Sequence, residues 1–193
     1  MKNLKVVIIA VVCIVAICGG FYLYSQSQNA DTDANLTDVE KVILKNLNTE
    51  YPKTPREVAK LYNRIVAGYH DENTSKEQLG KLVDQMMMMF DEDFKVKVTR
   101  DAYYNSVLAD IQLYKQQNKH ITTMSVCDTN EVRFVTDDRN DDKLAFVDID
   151  YFVKTDGQFS NSYMTIGMRQ DADGKWKIVG VTLREGASSK DDE

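Results

Sequence analysis

Apolar positions along this chain fall into three regimes. From Val6 to Tyr24 no charged residue appears, a run of about 19 residues rich in Val, Ile and Ala. A helix needs about 20 such residues to cross the hydrocarbon core of a bilayer. Lys2 and Lys5 precede the run, and the polar, then acidic stretch from Ser25 follows it. The positive-inside rule therefore expects the N-terminus in the cytoplasm and the remainder outside the cell, with Phe21, Tyr22 and Tyr24 anchoring the outer end. A cleaved signal peptide fits less well, because the apolar run continues past "AICGG" through "FYLY". A lipoprotein also fits poorly, since Ile17 precedes Cys18 and Val12 precedes Cys13 where a small residue is needed. The expectation is a cytoplasmic stub over 1–5, an uncleaved transmembrane signal anchor over 6–24 and a linker over 25–36.

The second regime has helical spacing. Thr37 and Glu40 stand in capping-box register before Val39, Val42, Ile43 and Leu47, a short helix that must end before Pro52. In "TPREVAKLYNRIVAGY", Thr54 is an N-cap, Pro55 takes the first helical position and Glu57 completes the box. Val58, Leu61, Tyr62, Ile65, Val66 and Tyr69 make one apolar stripe that ends near His70. Thr74 and Glu77 predict a second box. It opens a helix with Leu79, Leu82, Val83, Met86 and Met87 inside, so that "MMMMF" is core filling. "DEDFKVKVT" can be a strand by alternation or a loop with one helical turn, of which the loop is favoured, and a further helix covers 100–117 with Tyr103, Val107, Ile111 and Tyr114 on one face.

After His120 the period changes from 3.6 to 2. Five segments alternate as strands: "ITTMSVCDT", "EVRFVTD", "KLAFVDIDYFVKTD", "QFSNSYMTIGMRQD" and "KWKIVGVTLRE". Asp156-Gly157 and Asp173-Gly174 are hairpin signals. Helices first and a hairpinned antiparallel sheet second make an α+β order, with the helix stripes buried against a curved sheet. The globular part is expected over 37–185, followed by a disordered tail over 186–193.

Composition narrows the partners. The net charge of −6 repels phosphate backbones, so no nucleic-acid partner is expected. Cys13 and Cys18 lie in the apolar run and Cys127 stands alone beyond it, which leaves no internal disulfide outside the membrane.

"TPREVAKLYNRIVAGY", the following helix with "EQLGKLVDQM", the meander of strands and the closing "DGKWKIVGVTL" together resemble the nuclear-transport-factor-2-like (cystatin-like) superfamily. More narrowly, "YPKTPREVAKLYN" and the late "DGKWKI" strand resemble an uncharacterised family of membrane-anchored bacterial proteins. The resemblance spans roughly 37–185 and implies a cone of helices on a curved sheet. It also implies a possible homodimer paired through the sheet. Its motifs are structural, so no catalytic residue is carried over from it.

Candidate chemistry comes from this chain alone. Asp148 and Asp150 share a strand face with Phe146 and Phe152, two carboxylates about 7 Å apart that can bind a cation or act as acid and base. The plainer expectation is a solvated sheet face carrying exposed acids. Tyr103 and Tyr151 are candidate pocket phenols, and Trp176 a candidate stacking surface or, more simply, hairpin packing. His70, expected in water at a helix C-terminus, and His120 in a loop are too isolated for a zinc site. "DDRNDDK" fails as a calcium loop, with Lys143 and Ile149 where Gly and Glu are required. No metal or cofactor is expected, and no phosphate-binding or nucleophile motif is present. The sequence points to a non-catalytic extracytoplasmic module binding a protein or small molecule. The alternative is a small isomerase- or dehydratase-like enzyme using Asp148 or Asp150.

Overall fold

The structure is a computed structural model that describes residues 36–138 and 140–184. The expected stub, the anchor, the linker up to residue 35 and the tail over 186–193 lie outside the described residues. Among the described residues, no helix is long and apolar enough to cross a membrane.

Five helices come first: α1 (Asp38–Leu44), α2 (Pro55–Tyr69), α3 (Lys76–Met89), α4 (Glu92–Lys97) and α5 (Arg100–Gln116). Five strands follow: β1 (Lys119–Val126), β2 (Arg133–Asp137), β3 (Asp142–Thr155), β4 (Gln158–Gln170) and β5 (Trp176–Arg184). The α+β order is as expected.

Local chemistry starts α2 to α5. At α2, Thr54 Oγ1 accepts from the Glu57 amide (3.2 Å) while Glu57 Oε2 accepts from the Thr54 amide (3.1 Å), and Pro55 opens the helix. The next box lies one residue later than the sequence predicts, at Ser75 and Gln78 rather than Thr74 and Glu77. The Thr74 hydroxyl donates instead to the Gly68 carbonyl (2.8 Å), satisfying a backbone group left over at the end of α2. Glu77 is left exposed and pairs with Lys81. The short α4 is capped by Asp91, whose carboxylate accepts from the Asp93 amide (3.0 Å). Gln85 of α3 donates to the carbonyls of Ile43 and Lys45, tying α3 to the end of α1.

The strands form one antiparallel sheet in the order β1-β3-β4-β5. β1 pairs with the C-terminal half of the long β3, and β2 with its N-terminal half. Along β3, Ala145, Val147, Ile149, Tyr151 and Val153 are buried and the residues between them are not. Register aligns Met168 with Ala145 and Ile166 with Val147, and then Ile178 with Met168, so one apolar face runs across three strands. The helix layer covers this inner face with Val58, Ile65, Leu82, Val83, Met86 and Met89, all fully buried. The methionine run is therefore half core, with Met87 and Met88 only half-buried at its margin. At the β3–β4 hairpin both Asp156 and Gly157 have positive φ (49° and 86°), the type I′ geometry that its Asp-Gly dipeptide predicts.

The far edge of β5 is tied to the helices. Phe90, just after α3, makes a parallel bridge with Ile178, and the Asp91 amide donates to the Ile178 carbonyl (2.9 Å). Lys177 Nζ donates to the Met88 carbonyl (2.7 Å) and sits 4.3 Å from the centre of the Tyr51 ring. Burial lowers the pKa of that ammonium.

Candidate functional site

Asp148 and Asp150 lie on the outer sheet face, the one turned away from the helix layer, as alternation along β3 requires. Neither carboxylate is free. Asp148 Oδ1 accepts from the Thr165 hydroxyl (2.6 Å) and from Arg133 Nη2 (3.1 Å), and Arg184 Nη2 donates to Asp150 Oδ1 (3.1 Å). Arg184 Nε also stands 3.8 Å from Asp148 Oδ2. Arginines of β2 and β5 and the Thr165 hydroxyl of β4 thus hold the two carboxylates of β3. Cross-strand pairs of opposite sign stabilise a sheet, and this arrangement needs no ligand to explain it.

The other expected site residues are packed. Tyr151 is buried on the inner face and its hydroxyl donates to Asn63 Oδ1 (3.0 Å), while Asn63 Nδ2 donates to the Ser125 carbonyl (3.3 Å). Tyr103 stands edge-to-face on Phe90 with ring centres 5.1 Å apart, and burial raises its phenol to about 12. Tyr62 and Tyr69 lie close by, their pKa values also pushed up by burial. Trp176 is buried, packs edge-on against Phe134 and accepts the Tyr51 hydroxyl on its carbonyl (2.7 Å). Its ring is taken up by packing against β2. Cys127 is half-buried just past β1, and burial raises its thiol pKa. Such a thiol is a poor nucleophile.

A larger concave feature lies elsewhere. A cleft of about 970 Å³ opens between α2, α5 and β1. Leu108, Ile111 and Tyr114 of α5 form one wall, and Ile121, Met124 and Val126 of β1 line the floor. Along the α2 wall run Arg56, Lys60 and Arg64, at positions i, i+4 and i+8 of one helix face. Lys76, Lys115 and Lys119 add cations at the rim, against only Asp71 and Glu72 among the acids. With His neutral, the lining carries +4 on a chain whose net charge is −6. Clefts lined by one sign of charge concentrate ligands of the other.

His70 closes one end of the cleft. The sequence leaves it in water at a helix terminus. The structure instead places Nε2 3.3 Å from Asp110 Oδ2, with the ring 4.4 Å from that of Tyr114 and the side chain only 14% exposed. Arg56 at the opposite end is also anchored: Nε donates to the Cys127 carbonyl (2.7 Å) and Nη2 stands 3.6 Å from Asp128.

Asp148, Asp150, Tyr103, Tyr151 and Trp176 are thus absent from the cleft lining. The residues that do line it carried a signal, the cationic i, i+4, i+8 stripe of α2. Reading α2 for its apolar stripe alone passes over that signal. Among the described residues, no group of three or more His, Cys, Asp or Glu side chains is arranged to hold a metal ion.

Fold and site together define a small α+β domain, helices on one face of an antiparallel sheet, with an open cleft of apolar floor and basic rim. The chain belongs to the family described as Domain of unknown function (DUF6715), which matches residues 1–181. No curated protein matches it. Among solved structures it is similar to a de novo β-sheet design protein determined by solution NMR. The identity is 15%, with 72% of this chain and 95% of that one covered at a TM-score of 0.40, a likeness too loose to bear on function.

Proposed function

We propose that this protein is a non-catalytic binding module of the bacterial cell envelope, held at the membrane by the 6–24 segment and taking its ligand in the α2–α5–β1 cleft. The observation that carries the reading is the cleft, where apolar surface meets the unpaired cations Lys60 and Arg64. The uncharged run behind two lysines supports the anchor and the extracytoplasmic side. The helices-then-sheet order, with one sheet face covered, supports a nuclear-transport-factor-2-like arrangement. The isomerase- or dehydratase-like alternative has less support, because Asp148 and Asp150 are held by arginines on the face away from the cleft. Pairing of two copies through that outer face belongs to the same proposal. Phe152 and Phe159 are stacked there with ring centres 5.1 Å apart, yet 40% and 57% exposed.

The test is a thermal-shift panel of cell-wall fragments, metal ions and small acids on the detergent-solubilised chain. A ligand that binds only the native state must raise the melting temperature. A saturable shift that Ile111→Asp abolishes and Asp148→Asn leaves intact is expected. A shift lost with Asp148→Asn alone would move the site to the outer sheet face.

A further inference from the structure

The α2 wall says more about the ligand than its sign. Arg56, Lys60 and Arg64 are four residues apart, so at 1.5 Å per residue their Cα atoms repeat about every 6 Å along about 12 Å of wall. A ligand with a single charged head engages one end of such a row and leaves the remainder unmet. An extended peptide places alternate side chains on one side at about 6.7 Å, close to the repeat of the wall. Its intervening side chains then point the other way, toward Leu108, Ile111 and Tyr114 of α5.

The cations are also available. Lys60, Arg64, Lys76 and Lys115 make no ion pair with any described carboxylate, whereas Arg100, Arg133, Arg169 and Arg184 outside the cleft all do. Lys119 lies 5.8 Å from the Tyr114 ring, which leaves its charge open to a carboxylate as well. Arg56, at one end of the row, already meets Asp128 at 3.6 Å, so the open charge of the wall is that of Lys60 and Arg64. On a chain this acidic, open cations facing an apolar wall are complementary to carboxylates alternating with apolar side chains.

We infer that the occupant of this cleft is an extended peptide segment of a partner protein in which Asp or Glu alternates with aliphatic residues. The inference rests on the cleft being the binding site. The carboxylates lie along Lys60 and Arg64, toward Arg56 at the end where Asp128 already holds it, and the aliphatic side chains fill the apolar side toward α5 and the β1 floor.

The experiment uses the full chain in detergent micelles and a fluorescein-labelled heptapeptide, acetyl-Leu-Asp-Val-Asp-Leu-Asp-Val amide. The same peptide with Lys for Asp serves as the control, and laurate is the single-headed probe. The acidic peptide should bind saturably by fluorescence anisotropy, more weakly as salt rises, and the lysine peptide should not bind. The double variant Lys60→Glu/Arg64→Glu should weaken binding at least tenfold with an unchanged melting temperature, since both side chains are exposed and unpaired. Equal binding of both peptides, or indifference to the double variant, overturns the inference. Laurate raising the melting temperature in an Ile111→Asp-sensitive way while neither peptide binds would sink the peptide inference and leave the cleft as a binding site. No response of any probe to any cleft variant would sink both.

Discussion

Arg169 grips the buried carboxylate of Asp91 at two points, Nε to Oδ2 at 3.1 Å and Nη2 to Oδ1 at 2.6 Å. The pair joins β4 to the turn between α3 and α4, 78 residues away in sequence. Two parallel charge-assisted bonds fix orientation as well as distance. The same guanidinium reaches Asp93 and Asp142.

This pair sets the first expectation. Removing one member of a buried pair leaves the other charge poorly solvated and costs about 3–5 kcal/mol. Asp142 and Asp93 still satisfy part of Arg169, so Asp91→Ala should fall at the low end, about 3 kcal/mol. Asp93 is 76% exposed, and Asp93→Ala should cost about 1 kcal/mol or less. Urea unfolding of the two variants separates them; equal losses would show that burial of Asp91 is not what gives the clamp its strength.

Gly68 of α2 sits directly against Leu82 of α3. A Cβ built there meets Leu82 Cδ1 at 2.8 Å, and Leu82 is fully buried, so its side chain must shift against the core around it. Ala in place of Gly within a helix is normally a gain of about 1 kcal/mol. Here overpacking should reverse the sign, and Gly68→Ala should destabilise by about 1–2 kcal/mol. Gly80→Ala is the control: its Cβ meets only the flexible end of Arg100, at 3.6 Å, and the variant should be neutral or more stable. Thermal midpoints of the two decide it.

Asn63 is buried and serves two partners, the Tyr151 hydroxyl and the Ser125 carbonyl. Asn63→Ala strands the Tyr151 hydroxyl, and an unmet buried polar group costs about 1–3 kcal/mol. Tyr151→Phe strands Asn63 Oδ1 and should cost about 1 kcal/mol. In a double-mutant cycle the two should sum to more than the double variant loses, because the second substitution removes the group that the first left unmet. Strict additivity would mean that the bond contributes nothing.

Alkaline pH should unfold the protein earlier than its composition suggests. Burial raises the phenols of Tyr62, Tyr69 and Tyr151, and brings Tyr103 to about 12 from 10.0. A folded pKa above the unfolded one means that the unfolded state loses its proton first as pH rises. The stability contributed by these neutral phenols is therefore full below pH 10 and falls between pH 10 and about 12 for Tyr103. Each buried phenol removes about 1.4 kcal/mol per pH unit over its own window. Urea midpoints should be flat up to about pH 10 and drop steeply above it. Tyrosinate absorbance should rise together with the loss of structure, not before it; phenols that ionise in the folded state would contradict this.

The local pattern of the chain determined most of its elements. Periods of 3.6 and 2 placed the described strands and the helices other than α4 because each of these has one face to bury, and that face can be read from spacing alone; α4 buries no residue and left no such pattern. The Thr54 box and the Asp156-Gly157 turn were legible for the same reason: both are satisfied by neighbours within a few residues. The Asp148/Asp150 face was legible as well, since alternation along β3 decides which side a residue takes.

Tertiary contacts decided the remainder. Ser75 rather than Thr74 caps α3, because the Thr74 hydroxyl is drawn to a carbonyl of the preceding helix. His70 leaves water because α5 brings Asp110 and Tyr114 to it. Arg133 and Arg184 reach the two aspartates from strands separated in sequence, and their pairing there depends on the order of the strands in the sheet. The cleft itself is a gap between α2, α5 and β1, and the width of a gap is set by packing angles that no single segment carries. Sequence period fixes which side of an element is apolar, because that is a property of the element alone. Which polar groups meet across elements, and where space remains between them, depends on all the elements at once.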